Sequence, residues 1–123
     1  MRRVKVTVTT DGSGDATAYT PQLSGKIYGV SYVKPGSNAY ADGVDFVITN
    51  EATGQLIWDE DNVNATAHRA PRQPVHTQVG VAGLYAASGE GVLVPIAVAQ
   101  TRIKIVVAAG GASKVGAFHF HID

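Results

Sequence analysis

The stretch GVDFVITNEATGQLIWDE, Gly43 to Glu60, decides the fold. Val44, Phe46 and Ile48 alternate with Asp45, Val47 and Thr49, so an extended chain carries one apolar face. Asn50-Glu51-Ala52-Thr53-Gly54 is a short polar loop ending in glycine, and Gln55-Leu56-Ile57-Trp58 resumes a strand-like run. This pattern predicts a β-hairpin with a loop of about five residues. Trp58, the only tryptophan, is expected near the rim of the core.

Outward from this hairpin the same period recurs. Val4, Val6 and Val8 alternate with Arg3, Lys5, Thr7 and Thr9, predicting a half-buried strand over Arg2 to Thr9. Thr10 to Asp15 reads as a turn, and Ala16 to Leu23 is ambiguous, with Pro21 favouring an edge or a bend. Gly25 to Lys34 reads as a strand with Ile27 on one face and Tyr28, Val30 and Tyr32 on the other. Gly29 in its middle suggests a bulge or a close neighbour. Pro35-Gly36-Ser37-Asn38 is a turn.

Later segments continue the theme. A helical turn over Gly83 to Ala87 is the only hint of helix. Val92 to Val98 is strand-prone, with Pro95 placing it at an edge or a bend. Gln100 to Ala108 reads as one strand, Gly110 to Lys114 as a hairpin turn, and Val115 to Ile122 as its antiparallel partner. Short strands with glycine-rich turns and no helical period predict a single all-β domain over residues 1–123. The expected architecture is an antiparallel β-sandwich, jelly-roll or immunoglobulin-like, with little or no helix.

Composition narrows the function classes. Ten basic and ten acidic residues give zero formal charge, so no whole-chain field favours nucleic acid or an anionic membrane. No apolar run approaches the roughly 20 residues of a membrane span. The absence of cysteine excludes disulfides and thiolate metal sites. The basic Met1-Arg2-Arg3 start leads into alternation, not into the apolar core of a signal peptide, so synthesis in the cytoplasm is expected.

Asp59 to His76 is acidic at its start and basic with Pro71 and Pro74 at its end, and reads as a long exposed connection. Within it Asp59, Asp61, His68, Arg69, Arg72 and His76 are the candidate interface residues, arginine on a semi-rigid proline segment being suited to anchoring carboxylates. Asp59-Glu60-Asp61-Asn62 fails the calcium-loop pattern, because Val63 and Asn64 stand where an oxygen ligand and glycine are required. His119 and His121 share a strand face and are weak metal candidates without a carboxylate nearby; a solvent or interface face is the plainer reading. Tyr28, Tyr32, Tyr40 and Tyr85 would suit a sugar-binding surface, against which stands an ordinary role at the rim of the core. No P-loop, dinucleotide fingerprint or nucleophile elbow is present, and no catalytic residue or cofactor is expected.

DGVDFVITNEATGQLIWDE, the APRQPVH loop and the ending TRIKIVVAAGGASKVGAFHFHID resemble a family of small structural proteins of tailed-bacteriophage and prophage virions. The resemblance implies a non-enzymatic all-β virion component, assembled in the bacterial host cytoplasm. A capsid decoration or cement protein bridging head subunits is the first expectation. Its partners would be the major capsid protein or other virion proteins, and further copies of itself. A carbohydrate- or receptor-binding module of a fibre or tail is the alternative.

Overall fold

The computed structural model describes all residues, 1–123, and contains ten β-strands and no helix. They are β1 (Arg2–Thr9), β2 (Ala16–Tyr19), β3 (Leu23–Val33), β4 (Asp45–Asn50), β5 (Leu56–Glu60), β6 (Ala67–Arg69), β7 (Arg72–Pro74), β8 (Leu93–Thr101), β9 (Ile103–Ala108) and β10 (Val115–Ile122). A six-stranded sheet runs β1-β10-β3-β8-β7, with β6 also paired to β3. A four-stranded sheet runs β2-β9-β4-β5. Every strand pair is antiparallel, and the two sheets form a β-sandwich.

The hairpin that the sequence announced is β4–β5, with Phe46 opposite Glu60 and Ile48 opposite Trp58. The termini pair along their whole length, from Arg2 opposite Ile122 to Thr9 opposite Val115. Phe46 is the hub of the core. Its ring meets Tyr32, Phe118, Trp58 and Tyr40 at centroid distances of 4.8, 4.9, 5.5 and 6.0 Å, all edge to face. Around it, Val30, Phe120 and Ile122 from the larger sheet pack with Ile48, Ile103, Ile105 and Val107 from the smaller.

Five expectations are corrected. β9 and β10 do not form a hairpin: β9 pairs with β2 and β4, β10 with β1 and β3, and the Gly110–Lys114 turn carries the chain from one sheet to the other. The run Gln100 to Ala108 is not one strand, because the chain changes sheets between Thr101 and Ile103, with Gln100 at φ 45°. In β3, Tyr28 is the extra residue of a bulge: Gly29 pairs with His121 but Ile27 with Ile122. That extra residue resets the alternation, so Ile27, Val30 and Tyr32 are all buried while Tyr28 is only half-buried. A second register shift, between Ile48 and Thr49 opposite Trp58 and Leu56, buries Ile57 and Trp58 in succession. Trp58 is therefore a core residue, 6% exposed, and not a rim residue. Finally, residues 83–87 form turns and an isolated bridge instead of a helical turn.

Pro95 sits at a handover. Leu93 to Pro95 pair only with β7, and Ile96 onward pair with β3, so the missing amide of proline falls where one ladder ends and the next begins.

Candidate interaction surfaces

The segment after Trp58 is more structured than a free loop. Lys34 Nζ donates to the Asn64 carbonyl at 2.8 Å, the Gly43 amide donates to Asn64 Oδ1 at 2.7 Å, and Val63 is buried. The chain then forms β6 on β3 and β7 on β8, both only three residues long and bracketing Pro71. A cleft of about 480 Å³ opens here, with Glu60, Asn64, Thr66, His68 and Arg69 among its walls.

The candidate interface residues separate into distinct environments. Arg69 is committed within the chain: its Nε and Nη2 donate to the two Glu60 oxygens at 2.8 and 2.7 Å, and its guanidinium carbon lies 5.7 Å from the Trp58 ring centroid. These hydrogen bonds hold the Glu60 carboxyl below its ordinary range. Arg72 donates to the carbonyls of Tyr28 and Pro71, tying β7 to the β3 bulge. His68 Nδ1 lies 2.8 Å from Ser31 Oγ. Asp59 is exposed on β5 opposite Val47, and Asp61 is exposed in the following turn. His76 stands at the beginning of a different feature and bridges to Ala82.

That feature is an arm, residues 75–92, which sequence reasoning missed. All of its residues are exposed except Gly83 and Val92, which are half-buried. The Val75 amide donates to the Val92 carbonyl at 2.8 Å and closes its base. Above the base the chain folds into two small loops, tied by Thr77 N–Val81 O, Gly83 N–Val75 O, Tyr85 N–Glu90 O and Val92 N–Gly83 O. Val79 is 86% exposed and Tyr85 78%, and Val81 and Leu84 of the same arm are exposed too. Apart from the Tyr85 phenol, only His76 and Glu90 are ionisable. The signal in the sequence was this near-absence of charge in a segment whose glycines break every strand period.

The outer face of the larger sheet is the third surface. Strand register lines up Lys5, His119, Ser31 and His68 across β1, β10, β3 and β6. One step along, Arg3, His121 and Gly29 are aligned. The His121 ring lies over Gly29, where a Cβ would come within 3.2 Å of its Cδ2. Burial, then the positive charges of Arg3, Lys5 and His121, hold the His119 imidazole below its ordinary pKa. Its Nδ1 is buried with no hydrogen-bond partner. No group of three or more His, Asp or Glu side chains converges to hold an ion around His119 and His121 or elsewhere.

The four tyrosines do not form one surface. Tyr32 and Tyr40 stack within the core at 5.9 Å, Tyr28 sits at the bulge, and Tyr85 lies on the arm. Comparison with protein-family models, with curated proteins and with solved structures finds no match to this chain.

Proposed function

We propose that this chain is a non-enzymatic structural protein of a tailed-bacteriophage virion, a capsid decoration or cement protein that bridges head subunits. The arm 75–92 carries the reading. Four large apolar side chains left exposed on one arm, Val79, Val81, Leu84 and Tyr85, are costly to leave in water and are what a surface covered by another protein carries. A compact sandwich supports it, and its low charge suits close contact with neighbours. The occupant is an apolar depression of the major capsid protein at a boundary between subunits. The test is co-sedimentation of the purified chain with capsids that lack it, followed by electron microscopy. Saturable binding at symmetry-related positions, abolished by Tyr85→Asp with Val79→Asp, is expected. Absence from particles, or binding indifferent to those substitutions, refutes the reading.

A specific observation favours a second reading, a glycan-binding module. A polar cleft of about 390 Å³ is lined by Gln22, Glu51, Gln100, Thr101 and Arg102. Arg102 lies 4.1 Å above the Tyr19 ring centroid beside it. Planar amides and a carboxylate–guanidinium pair match the hydroxyls of a sugar. Binding on a glycan array that is lost in Gln100→Ala would select this reading over the first.

A further inference from the structure

The arm leaves the outer face of the larger sheet unexplained, and that face carries an independent inference. The chain is neutral as a whole, yet this face is not. Arg3 and Lys5 from β1, His119 and His121 from β10, and His68 from β6 form two adjacent rows fixed by strand register. The element between β10 and β6, β3, contributes only Ser31 and Gly29 there, neither of them titratable. No carboxylate stands in either row. Asp123, just past the end of β10, lies 3.4 Å from the Met1 amino group, and Glu60 is engaged by Arg69. Every charged neighbour acting on the His119 imidazole is itself cationic.

Such a grid has one natural complement. We propose that the Arg3–Lys5–His68–His119–His121 face docks a carboxylate-rich segment of a partner protein and holds it more tightly as the pH falls. Charge complementarity argues for the partner. At neutral pH the face offers two permanent cations, and imidazole side chains in general gain positive charge as the pH falls. Aspartate carboxylates ordinarily titrate near 3.9, so they stay ionised while this happens. Each arriving carboxylate relieves the mutual repulsion of the cations, which couples docking to proton uptake. Nucleic acid fits less well: two permanent cations in rows that contain no Phe, Tyr or Trp lack the phosphate contacts and stacking that such binding uses. Ser31 holds the His68 ring at the edge of the grid, so the third imidazole is oriented before a partner arrives.

The test uses the full chain and a fluorescently labelled octa-aspartate peptide, with binding read by anisotropy at low salt. Affinity about tenfold higher at pH 5.5 than at pH 7.5 is expected, falling with added salt. Lys5→Glu, on an exposed position of the edge strand, should weaken binding about tenfold at both pH values. His119→Gln with His121→Gln should flatten the pH dependence, and His68→Gln should reduce it without touching the half-buried pair. Trp58 fluorescence monitors folding of each variant. Absence of saturable peptide binding at pH 5.5 overturns the proposal, as does a pH gain undiminished in all the histidine variants. A short DNA duplex bound as tightly as the peptide overturns it in favour of nucleic acid. None of these outcomes bears on the arm, whose residues lie outside the grid.

Discussion

The Arg69 guanidinium and the Glu60 carboxylate meet through two parallel hydrogen bonds, of 2.8 and 2.7 Å, beside the Trp58 ring. Glu60 Oε1 also accepts from the Trp58 indole nitrogen at 3.1 Å. The pair thus fastens the short β6 to the end of β5 and covers the only tryptophan. Both partners remain substantially solvated, so the Coulombic gain is small, within about 1 kcal/mol. Arg69→Ala is expected to lower stability by no more than that, yet to shift Trp58 emission to longer wavelength as water reaches the ring. Urea titration and an emission spectrum on one sample check both. An unchanged spectrum would mean that the pair does not shield the indole.

Alternation made β1, β4 and β10 legible, because each is more deeply buried on one face than on the other without interruption. The bulges were harder to place. Gly29 hinted at one, but the sequence does not state which residue is the extra one, and moving it from one position to the next inverts the face of Tyr28. Trp58 was misplaced for the same reason: its neighbour Ile57 is buried as well, which no period of two allows. The paired turn at Gly110 shows another limit, since a short glycine turn serves equally to close a hairpin or to step between sheets. Of the surface, the residues of the basic grid were readable one strand at a time. Their alignment required the register of four strands.

Gly116 is a second point where sequence and packing meet. It pairs with Val8, and a Cβ there would lie 2.8 Å from Tyr32 Cε1 and closer still to Tyr40 Cε2. The Tyr40 hydroxyl donates to the Val8 carbonyl at 2.6 Å in the buried core, so this ring has little freedom to retreat. Gly116→Ala is expected to destabilise by about 1–3 kcal/mol through overpacking. Tyr40→Phe removes the hydroxyl and is expected to cost about 1 kcal/mol. Gly116 abuts the ring that this hydroxyl anchors, so the double variant should depart from additivity. Thermal unfolding of the three variants decides it, and an additive result would mean that the ring relocates freely.

Acid stability follows from His119 and the carboxylates in separate windows. Burial and the neighbouring cations depress the His119 pKa in the folded state below the ordinary 6.5. The unfolded chain then binds this proton more readily than the folded one, so stability falls as pH drops through about 6.5 and levels off below the folded value. Glu51 and Glu60, held below their ordinary 4.5 by hydrogen bonds from Arg102 and Arg69, lose their contribution only at lower pH. His119→Gln is therefore expected to flatten the stability profile between pH 7.5 and 5 and leave the steeper loss below 4.5 in place. Urea midpoints measured across pH 7.5 to 3 test this. A wild-type profile that is flat above pH 5 would show that the imidazole is not desolvated.

The arm should be separable from the sandwich. Outside the strand ladders, every backbone hydrogen bond of residues 75–92 is made to another arm residue, and the Val75–Val92 bond already closes its base. None of its side chains belongs to the buried core. Replacing residues 76–91 with Asn-Gly, a sequence suited to a two-residue turn between antiparallel strands, therefore removes no core contact. It also shortens the loop between β7 and β8, which lowers the entropy cost of pairing them, by about 0.6 kcal/mol for each halving of length. The shortened protein is expected to unfold at the same temperature as the parent or slightly higher, while losing the capsid binding proposed for the arm. A folded, equally stable variant that no longer binds would separate the arm's role in association from any role in stability. A collapse of the melting temperature would instead show that the arm braces β7 against β8, and its exposed valines would then need another explanation.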